Sequence, residues 1–195
     1  MLVTMIDHTI NPAIKMGDAA SICYDAKRDD VSNLKRAAHC KNKGHLMILR
    51  FAYATFNIQG ISRVASHQLV RVAHAGILQE SQRYVEQTNI KFVTPPTLTT
   101  LSPRLYSRWV NALYETSRIY HLSIDEGMKK EDARYILPQS CTTQLNITGN
   151  MQMWRDLLNN RTKPAAQWEV RATMIEVQNL LHSICPEIFD EILVL

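Results

Sequence analysis

Two segments of this chain, Ala52–Ile58 and Cys141–Thr148, alternate apolar and polar residues. In the first, Tyr53, Thr55 and Asn57 fall on one side. Period-two alternation marks a strand with one buried and one open face. The stretches between and around them carry helix-period apolar residues instead. The pattern predicts an α+β fold, mostly helical, around a central antiparallel sheet. Neither a linker nor a repeat interrupts the chain, so 1–195 reads as a single domain.

Local signals fill in the remainder. Asp18–Arg28 and Val31–Lys43 read as two short helices, and Gly60 reads as the end of the first strand. Ser62 then caps a helix expected to run through Arg71. Tyr84–Val93 reads as two short strands around Gln87-Thr88-Asn89, stopped by Pro95 and Pro96. Ser102-Pro103 pairs an N-cap residue with proline at the first helical position, opening a long helix that Gly127 ends. Leu105, Trp109, Ala112, Leu113, Thr116, Ile119 and Tyr120 share one face of it. Asn150–Asn160 and Ala166–Ile184 read as two more helices.

Composition narrows the class. The chain has 195 residues, 46% of them apolar, enough for one core or for one subunit of an oligomer. No apolar run is long enough to span a membrane, and Met1–Lys15 lacks the pattern of a secretory signal. Cys23, Cys40, Cys141 and Cys185 are scattered and show no zinc spacing, so no metal site is expected. Reduced thiols suit a cytoplasmic protein. The net charge of +4 suits a small anionic ligand better than nucleic acid.

The run Ser66–Tyr84 carries the chemistry. Arg71 and Arg83 offer forked, permanently charged donors, and Gln68, Gln79 and Ser81 offer groups that orient a sugar or a base edge. Such a set suits a nucleoside monophosphate. The run resembles the signature of the flavin-dependent thymidylate synthases, the ThyX family. In that signature an Arg-His-Arg triplet is followed by a Ser and then Arg-Tyr. Arg71, Ser81 and Arg83-Tyr84 keep the spacing, but Val72 and Ala73 replace the triplet's His and second Arg. Other matches follow in order: Ser62-Arg63, Ser66–Arg71, Leu137-Pro138, Asn150, Arg161, Ala166-Gln167-Trp168-Glu169 and Cys185-Pro186.

The resemblance implies one-carbon transfer from 5,10-methylenetetrahydrofolate to C5 of a deoxypyrimidine monophosphate, dUMP or dCMP. It implies that Gln68, Arg71, Gln79, Ser81, Arg83 and Arg161 hold the nucleotide, with Arg161 and Ser81 at the reacting end. It also implies a homotetramer whose sites are shared between subunits, with interfaces expected on the apolar faces of the Ser102–Gly127 and Ala166–Ile184 helices.

The flavin positions differ from the family's. Besides Val72 and Ala73, Leu78 replaces an Asn and Phe51 a His. Gln152 replaces an Arg, Asp156 an Asn, and Ala165 a basic residue. His74, Asn150, Gln152 and Asp156 are what remains to meet a cofactor. Two phosphates of flavin adenine dinucleotide normally meet cations or backbone donors, so flavin binding is expected to be lost or weakened. A methylene on C5 then has water as its partner, giving a 5-hydroxymethyl nucleotide. The alternatives are methylation by an enzyme that keeps flavin in an atypical site, and a non-catalytic nucleotide-binding relative. A flavin-free route benefits from a thiolate adding to C6, and Cys141 is the candidate.

Overall fold

The computed structural model describes residues 1–190; the last five residues of the expected 1–195 domain lie outside the described residues. The sheet has four antiparallel strands in the order β1-β2-β4-β3. β2 (Tyr53–Ser62) and β4 (Thr142–Asn150) form its centre, where the alternation placed them. Ala54, Phe56, Ile58, Leu145 and Ile147 point into the core and are essentially inaccessible. The opposite face is a polar ladder: Thr55 meets Thr148 at 2.7 Å, and Asn57 donates to Asn146 at 2.7 Å.

β1 (Leu2–His8) and β3 (Gly76–Gln79) are edge strands that the sequence reading missed. β1 bulges between Met5 and Asp7, so its burial does not alternate cleanly. β3 lies beyond the helix that was expected to run through Arg71. The helix that Ser62 caps, α3 (Arg63–Leu69), stops short of Arg71, and the chain then turns through His74 at φ 64°. Gly76 opposes Thr148, and a Cβ at Gly76 would sit 2.7 Å from the Thr148 methyl. Only glycine permits that approach. Gly60 does not end β2 either. With φ 70° it forms a bulge that carries the strand on to Ser62.

Helices cover the apolar face of the sheet. The first, α1 (Pro12–Ser21), starts six residues before the expected Asp18 because Pro12 occupies its first turn. α2 (Asp30–Asn42) is capped by Asp29 and followed by a 3₁₀ segment, Leu46–Phe51. Residues 84–93 form turns instead of two strands and touch the sheet edge by one bridge, Phe92 to Cys141. α4 (Pro103–Asp125) starts at Ser102 and ends before Gly127 as read, and α5 (Lys130–Ala133) follows it. α6 (Met151–Arg161), α7 (Trp168–Ile184) and the short α8 (Pro186–Phe189) complete the order.

Two contacts lock helices to sheet. Trp154 of α6 is fully buried, donates its indole N–H to the Ala54 carbonyl at 2.9 Å, and stands edge-on to Phe56. Glu169 of α7, also buried, accepts from both the backbone N–H and the hydroxyl of Ser62 at 2.6 Å. Ser62 in turn caps α3 through the Ala65 N–H at 3.1 Å. The expected α7 interface is corrected here. Its apolar face, Val170, Met174, Val177 and Leu181, is spent on this chain's own core. The apolar face of α4 is not: Leu105 and Trp109 stay exposed, and among the described residues of that helix only Tyr120 is buried.

Removing the buried Glu169 carboxylate strands two donors. Glu169→Ala is expected to cost about 2–4 kcal/mol of stability. Thermal denaturation should show a midpoint lower by roughly 5–10 °C; a change within one degree would mean that the contact is not holding α3.

Candidate functional site

The site begins at the junction of β4 and α6. Asn150 ends β4 opposite Tyr53, and its side-chain carbonyl caps α6 by accepting from the Met153 N–H at 2.9 Å. The Met151 N–H donates to the Ala52 carbonyl at 2.9 Å, which fixes the start of α6 beside the end of the 3₁₀ segment. The turn after α3 closes the other side. Together these elements enclose a cavity of about 630 Å³ lined by Arg50, Val72–His74, Asn150, Gln152, Asp156 and Arg161, among others. That volume lies within the range of small-molecule and cofactor pockets.

The structure therefore gathers His74, Asn150, Gln152 and Asp156 into one place, together with Arg161. Gln152, Asp156 and Asn160 follow one another by four residues along α6. The Gln152 amide donates to Asp156 at 2.9 Å, and Asn160 donates to the Asp156 backbone carbonyl at 2.9 Å. The Gln152 carbonyl oxygen is buried without a partner. Arg161 reaches Gln68 of α3 at 3.5 Å, a long contact, so its guanidinium keeps most of its donors.

The other nucleotide residues lie elsewhere in the chain. Gln79 spends its amide N–H groups on Ser66 at 2.9 Å and Thr143 at 3.1 Å. Arg83 pairs with Glu131 at 3.1 Å and lies over the Tyr84 ring. The Ser81 hydroxyl accepts from the Arg83 N–H at 3.3 Å. Arg71 is exposed and does not line the cavity. Within one chain the proposed nucleotide set is thus divided: Arg161 lines the cavity and Gln68 touches it, while Arg71, Gln79, Ser81 and Arg83 lie apart.

Sequence reasoning missed four basic or polar groups. Arg50 and Asn160 line the cavity. Arg63 reaches the residue before Ser81, and Arg134 lies near Arg63. Arg63 donates to the Glu80 carbonyl at 3.0 Å and leaves its Nε unpartnered; burial lowers its pKa, opposed by Cys141 and Glu80, and nearby Arg134 lowers it further. Arg50 was within reach of sequence reading, since it immediately precedes Phe51, one of the altered positions.

Matches with known proteins place the chain in a family. The family model described as "Thymidylate synthase complementing protein" (Thy1) matches residues 4–187. The chain belongs to this family. Among its relatives is a flavin-dependent thymidylate synthase of Geobacter sulfurreducens, 33% identical over 98% of this chain and 86% of that protein. The Pyrococcus furiosus protein of the same name is 35% identical over 87% of this chain and 74% of its own length. That of Clostridium tetani is 28% identical over 96% and 84%.

One assigned role in this Thy1 chain needs correcting. Cys141 is 2% exposed, bridges the chain crossing at Phe92, and does not line the cavity. Burial pushes its thiol up to about 11, against a smaller opposing pull from Arg63. Burial and the raised pKa both weigh against Cys141 as a thiolate nucleophile at neutral pH. The sign is plain, because alkylation should rise only as pH approaches that raised value. At pH 7.5 native protein should be alkylated by iodoacetamide at the exposed Cys23 and spared at Cys141. Peptide mass spectrometry showing equal labelling of the two would reverse the assignment.

Proposed function

We propose that this chain transfers a one-carbon unit from 5,10-methylenetetrahydrofolate to C5 of a deoxypyrimidine monophosphate, dUMP or dCMP, in the manner of a thymidylate synthase. The observation that carries this reading is the cavity at the β4–α6 junction, with Arg161 on its wall and Gln68 against it. Its relatives' names, flavin-dependent thymidylate synthase, support the reaction class.

The flavin question turns on charge. Counting only the family's positions, Val72, Ala73 and Gln152 leave two phosphates unanswered. The cavity itself supplies Arg50, His74 and Arg161 against one carboxylate, Asp156, which is engaged by Gln152. That donor set fits an anionic cofactor, and we favour a flavin dinucleotide held there over a flavin-free site. When bound, the flavin supplies the hydride that turns a C5 methylene into a methyl group. The chain's residues do the holding: Arg161 and Gln68 orient the nucleotide, and the Val72 and Ala73 side chains give one wall an apolar surface that excludes water.

A second reading retains the same nucleotide and folate without flavin. The absence of cations at Val72 and Ala73 favours it. Water then forms the C–O bond to the methylene, tetrahydrofolate leaves, and nothing is oxidised or reduced.

The split nucleotide set and the uncovered face of α4 support subunits that share sites, in a homotetramer. We read 1–195 as one catalytic domain. The four free thiols suit a cytoplasmic setting, and no helix among the described residues is long and apolar enough to cross a membrane.

Purified protein should show absorbance near 450 nm. With dUMP or dCMP, methylenetetrahydrofolate and reduced nicotinamide it should add one CH2 unit. A colourless protein that adds a hydroxymethyl group without nicotinamide would establish the second reading. No mass gain under any condition would leave a binding protein.

Arg161→Ala and Arg83→Ala should each weaken nucleoside monophosphate binding about tenfold or more, since charge-assisted hydrogen bonds contribute about 1.5–3 kcal/mol. Calorimetry with unchanged affinity in both would remove the assigned nucleotide site.

A further inference from the structure

We infer that Arg50, which lies outside the signature, supplies the phosphate-binding cation that Val72 and Ala73 no longer provide. This rests on the flavin reading above and names the residue on which that reading depends. The placement follows from local packing. Ile48 and Leu49 are buried in the core, and so is Ala52, so the short segment is pinned on both sides of Arg50. The Ala52 carbonyl is bonded to the Met151 N–H at 2.9 Å, and Tyr53 pairs with Asn150. The 3₁₀ segment therefore runs alongside the first turn of α6, and Arg50 lines the cavity there with His74 and Arg161. No hydrogen bond or ion pair to the Arg50 side chain forms among the described residues, unlike Arg28, Arg83 and Arg118, which each hold a carboxylate. Its fork is open to a ligand.

Three further features fit a phosphate-bearing ligand in particular. The positive end of the α6 dipole opens on the same cavity. Asp156, the cavity's carboxylate, is held by the Gln152 amide at 2.9 Å, so its charge is partly answered before any ligand arrives. His74 is held at φ 64°, a conformation uncommon for a residue with a Cβ, in the turn that carries it to the cavity wall. A triplet that keeps only Arg71 has thus been complemented from a neighbouring segment, and the ligand class is the pyrophosphate of a flavin dinucleotide.

The test is flavin adenine dinucleotide binding to the full chain, followed by calorimetry and by the flavin absorbance, with Arg50→Met and Arg50→Lys beside the wild type. Methionine keeps an unbranched stem and removes the charge; lysine keeps the charge and loses the fork. Arg50→Met should lower affinity about tenfold or more, and Arg50→Lys should recover part of it. Affinity for dUMP should be the same in all three. Arg50 is exposed, so the unfolding midpoints should agree and confirm that only the ligand is affected. Wild-type binding with an equal affinity in Arg50→Met overturns this inference and leaves the flavin reading standing. A wild type that fails to bind the dinucleotide at all overturns both.

Discussion

The hydrogen-bonded junction between β4 and α6 is the constraint on which the site depends. Asn150 serves two structures at once, as the last residue of a central strand and as the cap of the helix that follows. No loop separates them, so α6 has no freedom to tilt away from the sheet. Trp154, one turn later, fixes the helix by its bond to the Ala54 carbonyl. Every α6 residue at the cavity inherits its position from these contacts. The Glu169–Ser62 contact does the same for α3, and so places Gln68 opposite Arg161. The two helices that face each other across the nucleotide end of the cavity are thus tied to the two middle strands of one sheet.

The central strands and most helix starts were legible because each rests on a local signal. The alternation around Phe56 and Ile147 declares a buried face, and Ser62, Ser102 and Asn150 cap the helices they precede. The edge strands were not legible for an equally physical reason. β3 is only four residues long, and its pairing is licensed by Gly76 meeting Thr148, a contact between residues far apart in sequence. The bulge at Gly60 is the same kind of case: a glycine that reads locally as a stop is, against β4, a device for continuing.

The candidate site was legible as a roster and not as an arrangement. The residues assigned to a cofactor do converge, because Gln152 and Asp156 share one face of α6 at i,i+4 spacing and Asn150 caps that helix at the cavity. The nucleotide residues do not all converge, because the turn at His74 and the strand β3 carry Gln79, Ser81 and Arg83 away from α6. Cys141 illustrates the opposite error. The flavin-free route singled it out as a thiolate, while burial pushes its pKa up to about 11.

Charge at a binding site belongs to the cavity and not to the motif. Position-by-position comparison of a signature counts cations where relatives carry them. A ligand phosphate responds only to the field where it sits, which is set by whatever side chains reach that point. Arg50 is 21 residues before Arg71 in the chain, yet it shares a cavity with the residues that follow Arg71, because the pairing of Tyr53 with Asn150 folds the two segments onto the same helix end. An altered signature is therefore, by itself, a weak sign of a lost cofactor. Strong evidence would be an altered signature in a cavity whose total charge had also turned negative. Here it has not, since Arg50 and Arg161 alone outnumber Asp156.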